Sequence, residues 1–178
     1  LRILDRVQRA SGAKILLALK AFAMWSLAPL ISRYLRGTCA SGLHEARLGR
    51  EEFGGEVHVY SPAFTEPDLV EVLEISDHVM FNSPSQWERF RPLALSAAKR
   101  RPGLRFGLRV NPEHSEGTVP IYDPCAPYSR LGMPRARGRA GPTAARCRVV
   151  AVARPLLLMT VGTLALALPC AAQVVLED

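Results

Sequence analysis

Short apolar runs alternate with amphipathic stretches along the first 132 residues, and that rhythm constrains the fold more than any other feature of the chain. "KILLALKA" (14–21) is a continuous apolar run, as expected of a strand covered on both faces. "SLAPLISRYL" (26–35) reads as a helix with Ser26 as its cap, Pro29 in its first turn and Gly37 as its stop. A strand "TCAS" (38–41) and a helix "LHEARLGREEF" (43–53) follow, closed by Gly54 and Gly55. The strand "EVHVYS" (56–61) precedes a helix at 66–76, and the strand "HVMFNS" (78–83) precedes a long helix at 85–100, expected to be disturbed at Pro92. "RFGLRVNPE" (105–113) is the fifth strand. Strand and helix repeating every 20 to 28 residues or so is the pattern of βα units on a parallel sheet.

Two architectures fit that pattern, an open doubly wound sheet and a (β/α) barrel. No G-x-G-x-x-G follows the first strand, which weakens the dinucleotide-binding version of the open sheet. The strand ends favour the barrel. Lys20, Ser41, Ser61, Asn82 with Ser83, and Asn111 fall at or just past the carboxyl ends of successive strands, the face on which parallel barrels build active sites. The competing reading is that each Ser or Asn caps the next helix. Lys20 is the least expected of the group, because an ammonium in an apolar run is costly unless it is paired, neutralised or used. At the mouth of a barrel, desolvation would leave a neutral, nucleophilic fraction able to form a Schiff base; the alternative is a lysine that snorkels to the rim, as Lys14 does at the entry side.

Charge and cysteine content add limits. Residues 1–132 hold 17 Lys and Arg against 14 Asp and Glu, whereas 133–178 hold 6 Arg and 2 acids, so the basic balance owes much to a short tail and is weak support for nucleic-acid binding. Cys39, Cys125, Cys147 and Cys170 lack metal spacing, and with no secretory signal at the start a cytoplasmic setting is expected. His44, His58, His78 and His114 show no metal-ligand spacing either and read as surface or helix-face residues, so no metal is expected. Trp25 and Trp87 read as packing residues, and Glu66, Asp68, Glu71 and Glu74 as one solvated helix face. The chain opens on Leu1 directly into the spacing Leu1, Leu4, Val7, as the back half of a helix with its upstream end missing would.

Six blocks in order, "GAKILLALKAFAMWS", "GTCASGLHEARLG", "EVHVYSPAF", "HVMFNSPSQWERF", "LRVNPEHSE" and "YDPCAPYSRLG", together resemble the carboxynorspermidine (carboxyspermidine) decarboxylases. These sit with the ornithine and diaminopimelate decarboxylases, pyridoxal-phosphate enzymes on an alanine-racemase-like barrel. The resemblance runs from about residue 1 to Gly132 and implies that Lys20 is the lysine holding pyridoxal 5'-phosphate, hence catalytic and cofactor-binding. It implies that "TCAS", ending in Ser41, lies beside the cofactor, that Arg109 lies beneath its ring, and that "SRLG" (129–132) stands where relatives carry an S-K-F-G-like block. Arg109 could equally be an interior residue paired with a carboxylate. The implied reaction is loss of carbon dioxide from carboxynorspermidine or carboxyspermidine, giving norspermidine or spermidine in polyamine biosynthesis. A small-molecule polyamine substrate and a homodimer are the implied partners.

A barrel of this kind needs eight strands and usually about 250 residues. The legible pattern has about five βα units, so the expected fold is the N-terminal part of a (β/α)8 TIM-like barrel over 1–132. An unrelated tail over 133–178 is rich in Arg, Ala and Gly and then apolar. The family's stacking histidine, glycine-rich phosphate loop and acidic partner of the pyridine nitrogen are not found in it. The tail reads as the product of a shifted reading frame or a misdrawn gene, and this chain alone is expected to be inactive and an incomplete copy. Two alternatives stand: a non-catalytic pyridoxal-phosphate-binding barrel or relic, and a membrane-associated protein using the 22 uncharged residues 155–176.

Overall fold

The computed structural model describes residues 1–114, 119, 123–126 and 128–134, and the backbone of short strands at 150–151, 157–159 and 172–176. Helix α1 (Arg2–Ser11) leads into strand β1 (Ile15–Ala18), a 3-10 turn (Trp25–Leu27), the short α2 (Ala28–Ile31) and β2 (Gly37–Ala40). Then come α3 (Leu43–Leu48) with a π-helical turn (Gly49–Phe53), β3 (Glu56–Tyr60), α4 (Glu66–Ile75), β4 (His78–Phe81), α5 (Pro84–Arg100), β5 (Arg105–Asn111) and β6 (Met133–Pro134). These six strands are parallel and pair in the order of the sequence, β1 to β6. A doubly wound sheet reverses its strand order partway, and this one does not, so the architecture is half of a barrel. Parallel pairing thus extends two residues past Gly132. Among the later segments, β7 (Val150–Ala151) and β9 (Ala172–Leu176) pair with each other, β9 runs antiparallel along β5, and β8 (Leu157–Met159) lies parallel to β1.

Alternation along the strands sorts residues between two faces. Val57, Val59, Val79, Phe81, Phe106 and Leu108 face the helices and are almost fully buried, joined by Leu69, Val72, Trp87 and Phe90. Phe81 lies at the aromatic centre, edge-on to Trp87 at 5.3 Å and 6.2 Å from Phe106. Trp87 is the packing residue its position implied, but Trp25 is 61% exposed and packs little. Ile15, Leu17, Leu19, Ala28, Ile31, Leu35 and Phe53 form a second cluster under β1 and β2. On the other face, Cys39, His58, His78 and Arg105 share one level, with Tyr60, Met80 and Gly107 on the next. That inward face mixes polar side chains with Leu16, Ala18 and Met80, where the outward one is oily throughout.

Local chemistry sets the element ends. Thr65 caps α4 by accepting from the Asp68 amide at 3.3 Å, and Ser83 caps α5 by accepting from Gln86 at 3.2 Å, each with a proline in the first turn. Gln8 of α1 accepts from the Ile15 amide at 2.7 Å and donates to the Tyr34 carbonyl at 2.6 Å, pinning α1 beside β1. Asp77 accepts from the Val57 amide at 2.8 Å and from Arg50 at 2.6 Å, tying β3 to the entry of β4.

Several expectations are corrected. β1 ends at Ala18, and Lys20 lies in a turn in which the Ala21 amide bonds the Ala18 carbonyl at 3.0 Å. The helix expected over 26–35 is a 3-10 turn plus one short helix without a Ser26 cap, because the Arg36 amide is drawn onto the Ile15 carbonyl at 3.0 Å and the chain must re-enter the sheet. Pro92 does not break α5, since it sits on the exposed side where the unpaired carbonyl one turn back meets water. The helix expected over 43–53 widens at Gly49, where a Cβ would fall 2.3 Å from Thr38 Oγ1. The apolar stretch 155–176 lies outside the described residues except for β8 and β9. Among the described residues no helix is long and apolar enough to cross a membrane.

Candidate active site at the carboxyl ends of the strands

The inward face of β3 carries Tyr60 to its carboxyl end, and the chain leaving β4 brings Asn82 beside it. The Tyr60 hydroxyl donates to Asn82 Oδ1 at 2.6 Å. The same oxygen accepts from the Gly132 amide at 2.7 Å, while Asn82 Nδ2 donates to the Arg130 carbonyl at 3.0 Å. One asparagine therefore clasps the returning 129–132 block onto the rim, some 50 residues further along the chain. Gly132 is required there: its φ is +83°, and a Cβ would stand 3.0 Å from the Asn111 amide nitrogen and 3.1 Å from Arg109 Cγ.

Arg109, from β5, lies with its guanidinium carbon 4.6 Å above the centroid of the Tyr60 ring. Its Nε is buried with no hydrogen-bond partner among the described residues. Burial raises the Tyr60 hydroxyl above the ordinary tyrosine range, with Arg109 pulling against it. The interior carboxylate considered as a partner for Arg109 is not present among the described ion pairs.

Lys20 follows β1 on this same face, and its side chain is exposed. The burial expected of it is not supplied by the described residues, because the half-barrel has no facing wall there. Between Lys20 and Arg109 lies Cys39 of β2. Burial pushes the Cys39 thiol up to about 11, opposed by the two cations and reinforced by Glu45.

The other strand-end residues divide. Ser41 donates its hydroxyl to Glu45 Oε1 at 2.7 Å and its amide to Oε2 at 2.8 Å, closing the start of α3. Ser61 donates to the Ala63 carbonyl at 2.8 Å, and Ser83 caps α5. Asn111 is buried and accepts from the Glu113 amide at 2.9 Å. Of the serines only Ser83 caps a helix, while Ser41 and Ser61 bond within their own loops. Lys20, Tyr60, Asn82 and Arg109 lie at the rim, with Cys39 below them at the level of His58. Sequence reading passed over Tyr60 and Cys39, although the alternation Glu56, His58, Tyr60 against buried Val57 and Val59 marks that face.

Comparison with known proteins gives a consistent result. No protein-family model matches the chain. A carboxynorspermidine/carboxyspermidine decarboxylase of Herminiimonas arsenicoxydans is 46% identical over 132 residues, 74% of this chain and 34% of that protein. A carboxyaminopropylagmatine decarboxylase of Synechocystis is 41% identical over 133 residues, covering 75% and 33% of the two chains. The crystal structure of carboxynorspermidine decarboxylase complexed with norspermidine from Campylobacter jejuni matches with a TM-score of 0.65 at 34% identity, covering 79% of this chain and 34% of that one. The chain spans about a third of the length of the curated relatives it matches. The likeness read from the six sequence blocks and the half-barrel fold are thus both shared with solved and curated decarboxylases.

Proposed function

We propose that this chain, a homologue of carboxynorspermidine and carboxyspermidine decarboxylases along about a third of their length, carries the lysine-bearing part of a site that decarboxylates a carboxylated polyamine. The observation carrying this reading is the placement of Lys20 in the turn after β1 and of Arg109, stacked on Tyr60, towards the carboxyl end of β5 in the same parallel sheet. Residues 1–132 are the proposed barrel portion, and 133–178 a segment of different character. The matched lengths of 131 to 133 residues support that division. A cytoplasmic homodimer is the setting this reading expects.

The residues present fit pyridoxal 5'-phosphate at one end. An exposed primary amine at the rim suits a covalent hold on an aldehyde, and the buried, unpartnered Nε of Arg109 suits an acceptor brought by a ligand. When bound, the cofactor supplies the electron sink for the pair left as a carboxylate departs from an α-carbon as carbon dioxide. Lys20 would hold it and, at Nζ, carry a proton to or from the substrate amine. Arg109, braced on the Tyr60 face, would supply a fixed cation to help hold it. Asn82 orients the Tyr60 hydroxyl and holds the 129–132 block across the rim, which narrows access for water. Ser41 would act by steadying the loop after β2 through Glu45.

Reductive trapping tests this. The chain has three lysines, Lys14, Lys20 and Lys99. Treatment with pyridoxal 5'-phosphate and borohydride should leave the pyridoxyl mass on the Lys20 peptide, and Lys20→Ala should remove it. Label on Lys14 or Lys99 alone, or none, would sink the assignment.

A further inference from the structure

We infer that Glu56, His58 and His78 form a site for one divalent transition-metal ion of the zinc type at the amino-terminal floor of the half-barrel. This stands apart from the rim and does not depend on the decarboxylase reading. Glu56 and His58 are two apart on β3 and so share its inward face, and His78 is the register partner of His58 on β4. One ligand atom from each of the three lies within 4.8 Å of the others. The imidazoles face each other at 4.0 Å between centroids and 26° between planes, and His58 Nε2 is 3.1 Å from Glu56 Oε2. Two imidazole nitrogens and one carboxylate oxygen are a donor set that suits zinc, whereas magnesium and calcium prefer oxygen alone. Three protein ligands leave a fourth, tetrahedral position for water.

The surroundings favour the donor forms. Burial holds both imidazoles below the ordinary histidine range, His78 down to about 4 with His58 adding to the effect, so no proton has to leave them at neutral pH. Burial works against the Glu56 carboxylate, but bonds from Lys14 and His58 outweigh it and keep it ionised. Two cations stand nearby. Lys14 pairs with Glu56 Oε1 and leaves Oε2 to the cluster, and its side chain is half-exposed. Arg105, the register neighbour of His78, is turned away, donating to the Pro102 carbonyl at 2.6 Å. A stacked pair of neutral histidines could simply fill space; a carboxylate within reach of both is what makes a chelate of it.

The test is titration of the untagged, chelator-stripped 178-residue chain with Co2+ as a visible probe. One equivalent should develop d–d absorption without a thiolate charge-transfer band, Zn2+ should displace it, and His58→Gln, His78→Gln or Glu56→Gln should weaken uptake at least tenfold. The wild-type chain gives a second readout that does not depend on how a variant folds. Zn2+ should protect His58 and His78, but not exposed His44, from carbethoxylation by diethyl pyrocarbonate, read by peptide mass. No uptake of either metal, uptake unchanged in folded variants, a thiolate band, or equal modification with and without Zn2+ would each overturn the site.

Discussion

At Cys39 burial and charge pull in opposite directions, and burial wins. With the thiol at about 11, the reactive thiolate is about a thousandth of the population at pH 8. Iodoacetamide should therefore label Cys39 slowly, with a rate that climbs about tenfold per pH unit until pH approaches 11. Lys20→Ala should slow it further, because a cation that favours the thiolate is gone; peptide mass spectrometry of timed samples measures both. An unfolded thiol ionises near 8.5, so the buried one contributes stability that is intact below that pH and is lost as pH rises towards 11. Lys20 itself was legible as the residue out of place in an apolar run. Arg109 was reached through the family resemblance, but Cys39 and Tyr60 were not singled out, since they join it only once β2 to β5 have been laid side by side.

Among the elements, α4 and α5 were read close to their bounds, and the structure shows each capped, by Thr65 and Ser83, with a proline in its first turn. The helix announced at Ser26 and Pro29 did not form as read. The β1–α2 connection was misread because its path is fixed by long-range bonds, Arg36 onto Ile15 and Gln8 onto both β1 and Tyr34, which no local pattern encodes. His58 and His78 were assigned to surfaces for the same reason: their spacing along the chain means nothing until β3 and β4 pair. Asn82 joins elements most directly. Asn82→Ala removes acceptors from the Tyr60 hydroxyl and Gly132 amide and a donor to Arg130, and should cost about 1–3 kcal/mol in urea unfolding. Hydrogen exchange should then accelerate at Gly132 while the amides of α4 and α5 keep their protection.

Taken whole, the described molecule buries its outward, helix-covered core and carries the candidate site on its inward face. If the half-barrel is the first part of a decarboxylase, refolding it with the remaining two-thirds or so of a curated relative should restore carbon dioxide release from carboxynorspermidine. Neither piece should work alone, and Lys20→Ala should silence the mixture. Turnover by this chain unaided would contradict that division of labour. The sequential strand order has a consequence for how such a chain comes into being. On a ribosome each strand emerges next to the one just made, so every new βα unit finds a finished template waiting and need not search for a distant mate. The edge of β1 is different, for in a closed barrel its neighbour is the last strand to be synthesised. A nascent barrel of this order spends nearly its whole synthesis with its first seam unsewn, and that seam is where a chaperone would find something to hold.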